Sequence, residues 1–343
     1  MGPDFYRMHQ KALIPLKMQD TEFSPARFLE DMNQLNLPEF AAFVRKNGLS
    51  GLWQNWLEGC SPHAVCAEFS ATVAIDTRRT IAMQLAQEPV LRQVSEILND
   101  AETGYFLAKG AILCRTIYSK PWMRPFVDID LFVKKDDKER VTRLLLGAGF
   151  EALPLPETLS HELKLRRANA DVDLHWHVLR PGRYRPGLMN WLFENRKKSG
   201  PYWGLNATAH LFLMLVHPPI TKYLISPTSM LIHQADQTRL IASGKVDWNE
   251  LEKALNRSGI RTAAWSSLYL LRRLTQIEAP EGFEQRIRPA KAKAWYLQQW
   301  IDQEWITRFF GQQWLVKGFF NLALQDTLAD MARALIQLRK SEG

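Results

Sequence analysis

The sequence predicts an α+β fold, a short strand-bearing core between two helical regions, divided at about 1–95, 96–180 and 181–343. Three observations predict it. Apolar residues recur at helical spacing from about 24 to 100. Short alternating or continuous apolar runs, punctuated by glycine and acidic residues, replace them between about 105 and 178. Helical spacing returns from about 188 onward. A chain of 343 residues, 46% hydrophobic and 23% charged, has ordinary globular composition and length for two or three filled cores.

In the first region, Ser24-Pro25-Ala26-Arg27 reads as a helix start, a capping residue with proline in the first turn. From Thr77 to Asn99 the residues Ile81, Leu85, Val90, Leu91, Val94 and Leu98 repeat at helical spacing. Pro89 is expected to divide this stretch into two helices, because proline lacks the N–H that continues the ladder.

The middle region opens with the strand candidate Tyr105–Ala108, which enters Lys109-Gly110-Ala111 and a helix to about Tyr118. Phe126–Val133 reads as a strand, and Asp136 or Asp137 caps a helix that the glycines Gly147 and Gly149 stop. Phe150–Leu153 and His161–Arg167 are weaker strand signals, whereas Asp171–Val178 alternates cleanly until Pro181-Gly182. Beyond about 188, helices are expected over Ala207–Val216, Ser229–Ala242, Trp248–Arg257, Thr262–Leu274 and Ala290–Leu338. Eight of the 12 tryptophans follow residue 180, and at helical spacing they read as packing residues.

Several classes of protein are disfavoured. No apolar run reaches the roughly 18–20 residues of a membrane span, since Leu211–Val216 gives way to His217-Pro218-Pro219. Met1-Gly-Pro-Asp-Phe-Tyr lacks the charged and apolar regions of a secretory signal. Cys60, Cys66 and Cys114 form no CxxC pair, so reduced thiols in a cytoplasmic protein are expected. The formal charge of +8 is uneven: residues 1–180 carry 22 Lys+Arg against 23 Asp+Glu, residues 181–343 carry 22 against 13. The basic half reads either as a solvated helical surface or as a wall that attracts phosphates. A nucleic-acid partner is not favoured, because no recognisable binding motif accompanies the charge.

The chemistry concentrates at Asp128 and Asp130. Two residues apart on a strand, their side chains share one face, while Val127, Ile129 and Leu131 turn to a core. Two carboxylates so close repel unless a cation lies between them. On the later strand Asp171, Asp173, His175 and His177 share a face, and Asp173 sits deeper in the alternation than Asp171. If that strand neighbours the first, Asp128, Asp130 and Asp173 form a three-acid site suited to Mg²⁺, with Mn²⁺ an alternative. The reading fails if residue 173 lies on the far side of the sheet, or if a lysine or arginine already neutralises the acids.

Lys109-Gly110-Ala111, at a strand-to-helix junction, reads as a phosphate approach or as a plain turn. Arg124 is left with two roles, pairing with an acid or holding nucleotide phosphates. His161 and His175 are each a base, a phosphate contact or a structural histidine.

Taken together, Leu107-Ala-Lys109-Gly110-Ala111, Tyr118, Arg124, Asp128-Ile-Asp130-Leu-Phe-Val133, Gly149-Phe150 and Val172-Asp173-Leu-His175-Trp176 resemble the uncharacterised nucleotidyltransferase family of bacteria, within the DNA polymerase β-like superfamily. His210-Leu-Phe-Leu, His217, Asp236 and Val246-Asp-Trp248 extend the resemblance over roughly residues 80–280. The resemblance implies a small mixed sheet flanked by helices. It also implies metal binding and catalysis by Asp128, Asp130 and Asp173, and a triphosphate lined by Gly110 with Ala111; Lys109, Arg124 and His175 join the expected nucleotide-binding residues from the reading of the residues themselves. Gly110 is followed by alanine, where the superfamily usually has Gly-Gly or Gly-Ser, so a hydroxyl contact to the triphosphate is missing. The expected reaction is transfer of an NMP group from an NTP to an unidentified acceptor (protein, peptide or small molecule) with release of pyrophosphate. The alternative is an inactive nucleotide-binding or protein-interaction module on the same fold.

Overall fold

The computed structural model describes residues 4–16, 36–59, 67–154, 162–221, 231–302 and 314–341. The first part is helical: α1 (Asp4–Ala12), α2 (Leu37–Lys46), α3 (Ser50–Glu58) and the long α4 (Ala67–Asp100). Then come β1 (Tyr105–Ala108), α5 (Gly110–Thr116), β2 (Asp128–Val133), α6 (Lys138–Gly147), β3 (Glu151–Ala152), β4 (Glu162–Arg167) and β5 (Ala170–His175). After α7 (Leu188–Glu194) and the hairpin β6 (Arg196–Ser199) and β7 (Tyr202–Leu205), helices resume. These are α8 (Ala207–Thr221), α9 (Leu231–Ala242), α10 (Trp248–Ser258), α11 (Arg261–Thr275), α12 (Phe283–Ile287), α13 (Lys291–Asp302), α14 (Trp314–Ala323) and α15 (Leu328–Ser341). The fold is α+β with helical regions on both sides of the strands, as the sequence predicts.

The main sheet has the order β1-β2-β5-β4-β3. β2 and β5 run parallel; the other neighbours run antiparallel. Ile129, Leu131, Val172 and Leu174 point to a core shared with Val90, Leu91, Val94 and Leu98 of α4 and with Val141 and Leu145 of α6. A second core gathers the C-terminal helices around α8, whose residues Thr208–Val216 are all buried. A helix apolar all round belongs inside a layer of helices. α10 shows how local sequence sets an end: the Asp247 side chain accepts from the Asn249 and Glu250 amides, and Gly259 closes the helix at φ +71°.

Several expectations need correction. α4 passes straight through Pro89. The carbonyl that proline deprives of a partner belongs to Leu85, four residues earlier, and Leu85 is 69% exposed, so water can satisfy it. α8 likewise continues through Pro218 and Pro219. There the freed Met214 carbonyl accepts from Gln237 Nε2 at 2.8 Å. The β6–β7 hairpin interrupts a stretch expected to be helical; Gly200, at φ +59°, opens its tight turn. Val127 precedes β2 and is 68% exposed instead of core-facing. β5 stops at His175, two residues before His177. The predicted helix start at Ser24-Pro25, and Cys60, Cys66, His161 and Trp305, lie outside the described residues. Trp300 is buried as expected, but Trp295 is 61% exposed. Among the described residues no helix is long and apolar enough to cross a membrane.

Candidate active site

Parallel pairing of β2 with β5 sets the site. The register places Asp130 beside Asp173 and Asp128 beside Asp171. Strand neighbours in register share a face, so Asp128, Asp130 and Asp173 project from the same side. They line one cavity of about 370 Å³ with Lys109, Glu162, His175, Arg180 and Arg183. The C-terminal end of α8 (His217, Ile220, Thr221) and Asn321 of α14 complete its wall.

The lead into β2 is held by polar side chains from a helix. Gln84 of α4 donates to the Arg124 carbonyl at 2.9 Å and Gln87 to the Val127 carbonyl at 3.0 Å. Both glutamines are buried, which a solvent-facing helical pattern would not suggest. Arg124 lies behind this lead, away from the cleft. Its guanidinium makes Nε and Nη2 bonds of 2.8–3.0 Å to Asp236 of α9, which is fully buried, and Tyr118 Oη adds a 2.8 Å bond to the same carboxylate. Of the two roles open to Arg124, the structure shows the acid partner.

Lys109 sits between β1 and α5 at φ +53°, ψ −135°, a conformation that side chains other than glycine's rarely adopt. The turn directs its Nζ to Asp130 Oδ1 at 2.5 Å. A Cβ on Gly110 would lie 2.5 Å from Phe126 Cβ, so glycine serves close packing at this point. Gly110 and Ala111 are both buried, and neither lines the acid cavity. His175 stacks on Phe132, ring centroids 4.8 Å apart. Its Nε2 meets Asp130 Oδ1 at 3.2 Å and its Nδ1 meets Glu162 Oε2 at 3.3 Å. Asp171 is occupied outside the cleft by Arg166 at 2.6 Å and Lys164 at 3.5 Å.

The three acids therefore differ electrically. Burial alone would raise Asp130, but the Lys109 ammonium and the His175 ring hold its carboxyl well below the usual carboxylate range. Burial, reinforced by Asp130, pushes Asp128 up to about 6. Burial also raises Asp173, against the pull of Lys164. The Asp173 Oδ1 atom is buried without a hydrogen bond, and Lys164 Nζ stands 3.7 Å away. So the residue the sequence warned of is present, yet it neutralises one acid and leaves the other two carrying unfavourable charge.

On the facing wall, Arg183 is 9% exposed and its Nη1 has no hydrogen-bond partner. Burial and the neighbouring Arg180 lower its pKa. The turn Arg180-Pro-Gly-Arg183, a few residues beyond the strand of the third acid, is the sequence signal for this pair, although by itself it marks only a strand end.

Acids on adjacent strands of a small mixed sheet share their cavity with the buried Arg183 and the exposed Arg180, an arrangement suited to phosphate groups. A family model described as an uncharacterised nucleotidyltransferase matches residues 33–276, through the end of α11, and the chain belongs to that family. It is thus a transferase of phosphorus-containing groups. No curated protein matches the chain.

Proposed function

We propose that the protein moves an NMP group from an NTP to an acceptor hydroxyl and releases pyrophosphate, with Asp128, Asp130 and Asp173 as the metal-binding and catalytic carboxylates. The observation that carries this reading is the register Asp130↔Asp173, which sets the third acid beside the first two at one cavity.

Fit to a divalent ion rests on the same geometry. Among the described residues no three acidic, imidazole or thiol side chains gather as a closed ligand set. Mg²⁺ does not require one: it binds through one or two carboxylates, retained water and substrate phosphates. The two under-compensated acids and the unbonded Asp173 oxygen supply such a partial set. Bound there, Mg²⁺ or Mn²⁺ would polarise the α-phosphate and offset the charge of the leaving group. Asp173, whose Oδ1 makes no hydrogen bond, takes the acceptor's hydroxyl proton. The freed lone pair attacks the α-phosphorus, and the bond to the pyrophosphate oxygen breaks. Arg180 and Arg183 face the departing phosphates. Lys109 and His175 act on Asp130 and reach a nucleotide only through the same cavity. We leave Gly110 and Ala111 out of the nucleotide contacts, because both are buried behind the cleft.

The Lys109–Asp130 bond favours a second reading, nucleotide binding without transfer, since one acid is already matched by a cation. One experiment separates the two. Each of the four NTPs, labelled at the α-phosphate, is incubated with Mg²⁺, the protein and a cell extract, and pyrophosphate and labelled acceptor are measured. The proposal expects both products from the parent and neither from Asp173→Asn. Nucleotide binding with no pyrophosphate from any NTP supports the second reading, and undiminished transfer by Asp173→Asn refutes the first.

A further inference from the structure

A cavity larger than the acidic one lies away from the acids. It has a volume of about 760 Å³ and sits between α5, the β6–β7 hairpin, the start of α8 and the end of α9. Five cationic side chains line it: Arg115, Lys197, Lys198, Arg239 and Lys245. Among the described residues no carboxylate lines it. Arg115 is paired with Glu88, outside the lining. Arg239 lies over the Tyr118 ring at 4.7 Å, and its Nε is buried with no hydrogen-bond partner.

His210 supplies an independent pointer. It is 2% exposed and lines the same cavity. Its Nδ1 lies 3.0 Å from the Leu205 carbonyl, an acceptor, so Nδ1 carries the proton and Nε2 presents a lone pair. That Nε2 is buried without a partner. Burial lowers the ring's pKa to about 4, which keeps it neutral at physiological pH. A buried acceptor beside unpaired cations calls for a ligand with negative charge at one end and a hydrogen-bond donor at the other.

We propose that this cavity is a second ligand site, for a small phosphomonoester bearing hydroxyl or amino groups. Lys197, Lys245 and Arg239 hold the phosphate, and a ligand hydroxyl or amine donates to His210 Nε2. A cavity of this volume matches a single small molecule. A nucleic-acid strand would need an extended basic track with aromatic platforms. Lys197 comes from the hairpin, on the face of its register partner Gly204, which also lines the cavity, and Arg239 and Lys245 come from α9 and its following turn, so cations reach the pocket from two elements.

The test uses the full chain without NTP or metal, so it does not depend on transfer activity. Ribose 5-phosphate, ribose and inorganic phosphate are titrated by calorimetry against the parent, Lys197→Ser/Lys198→Ser, Arg239→Gln, His210→Phe and Asp173→Asn. Saturable binding of ribose 5-phosphate is expected, tighter than either half alone. The double lysine variant and Arg239→Gln should each weaken it at least about tenfold, and Asp173→Asn should not change it. His210→Phe should erase the advantage of ribose 5-phosphate over phosphate; circular dichroism checks that it folds, and Arg239→Gln tests the site if it does not. No saturable binding up to about 10 mM overturns the proposal. So does binding lost in Asp173→Asn and kept in the lysine and arginine variants, or salt-sensitive RNA binding that ribose 5-phosphate does not displace.

Discussion

Replacing Asp128 by Asn should make the metal-free protein more stable at neutral pH. In the folded chain burial and Asp130 push the Asp128 carboxyl from its ordinary 3.8 up to about 6. Between those values the folded state keeps a proton that the unfolded chain has already released. Stability from this group is therefore full below about pH 3.8 and is lost as pH rises through 6. Each pH unit is worth about 1.4 kcal/mol, so the ionised carboxyl costs about 3 kcal/mol at pH 7.5. Asp128 is only half-buried, and solvent screening reduces the figure to about 1–2 kcal/mol. Asn keeps the shape and never ionises. The assay is urea unfolding in EDTA: Asp128→Asn should have the higher midpoint at pH 7.5, with the gap shrinking to roughly a fifth at pH 4. Added Mg²⁺ and NTP should reverse the order, stabilising the parent and not the variant. A midpoint at or below the parent's at pH 7.5 would refute the claim that Asp128 sits in an uncompensated acidic cleft.

Two further outcomes follow from the scaffold behind the cleft. Asp236→Ala leaves the buried Arg124 guanidinium without its carboxylate and should cost about 3–5 kcal/mol in urea unfolding, most of it recovered in Arg124→Met/Asp236→Leu; unchanged stability with a raised KM for NTP would return Arg124 to the nucleotide. Gly110→Ala drives a Cβ into Phe126 and should cost about 1–3 kcal/mol by overpacking, visible as a lower melting temperature, and an unchanged melt would mean that the α5–Phe126 contact is looser than described.

Period-two alternation made β2 and β5 legible, and with them the shared face of Asp128, Asp130 and Asp173. The signal is clearest in β5, where buried and half-buried residues alternate and a slip of one residue would invert them; β2 is buried on both faces, and its acids alone mark the cleft side. What escaped notice depends on partners distant in sequence. Pro89 and Pro218 look like helix breaks until the exposed Leu85 and the amide of Gln237 account for the carbonyls they strand. Arg124 reads as a phosphate contact until Asp236, 112 residues later, takes it. The hairpin Arg196–Leu205 hid because three successive basic residues on an exposed strand have no apolar rhythm. Lys109 reads as a phosphate ligand, and its bond to Asp130 depends on a positive-φ backbone that the sequence does not announce.

Helix α8 has a consequence of its own. Its first turns wall the basic chamber with His210, and its last turn walls the acidic one with Ile220 and Thr221. At 1.5 Å per residue those stations stand about 15 Å apart on a single strut. Gln237 clasps the strut at the Met214 carbonyl and its middle turns are buried, so two chambers of opposite charge borrow their walls from opposite ends of one element.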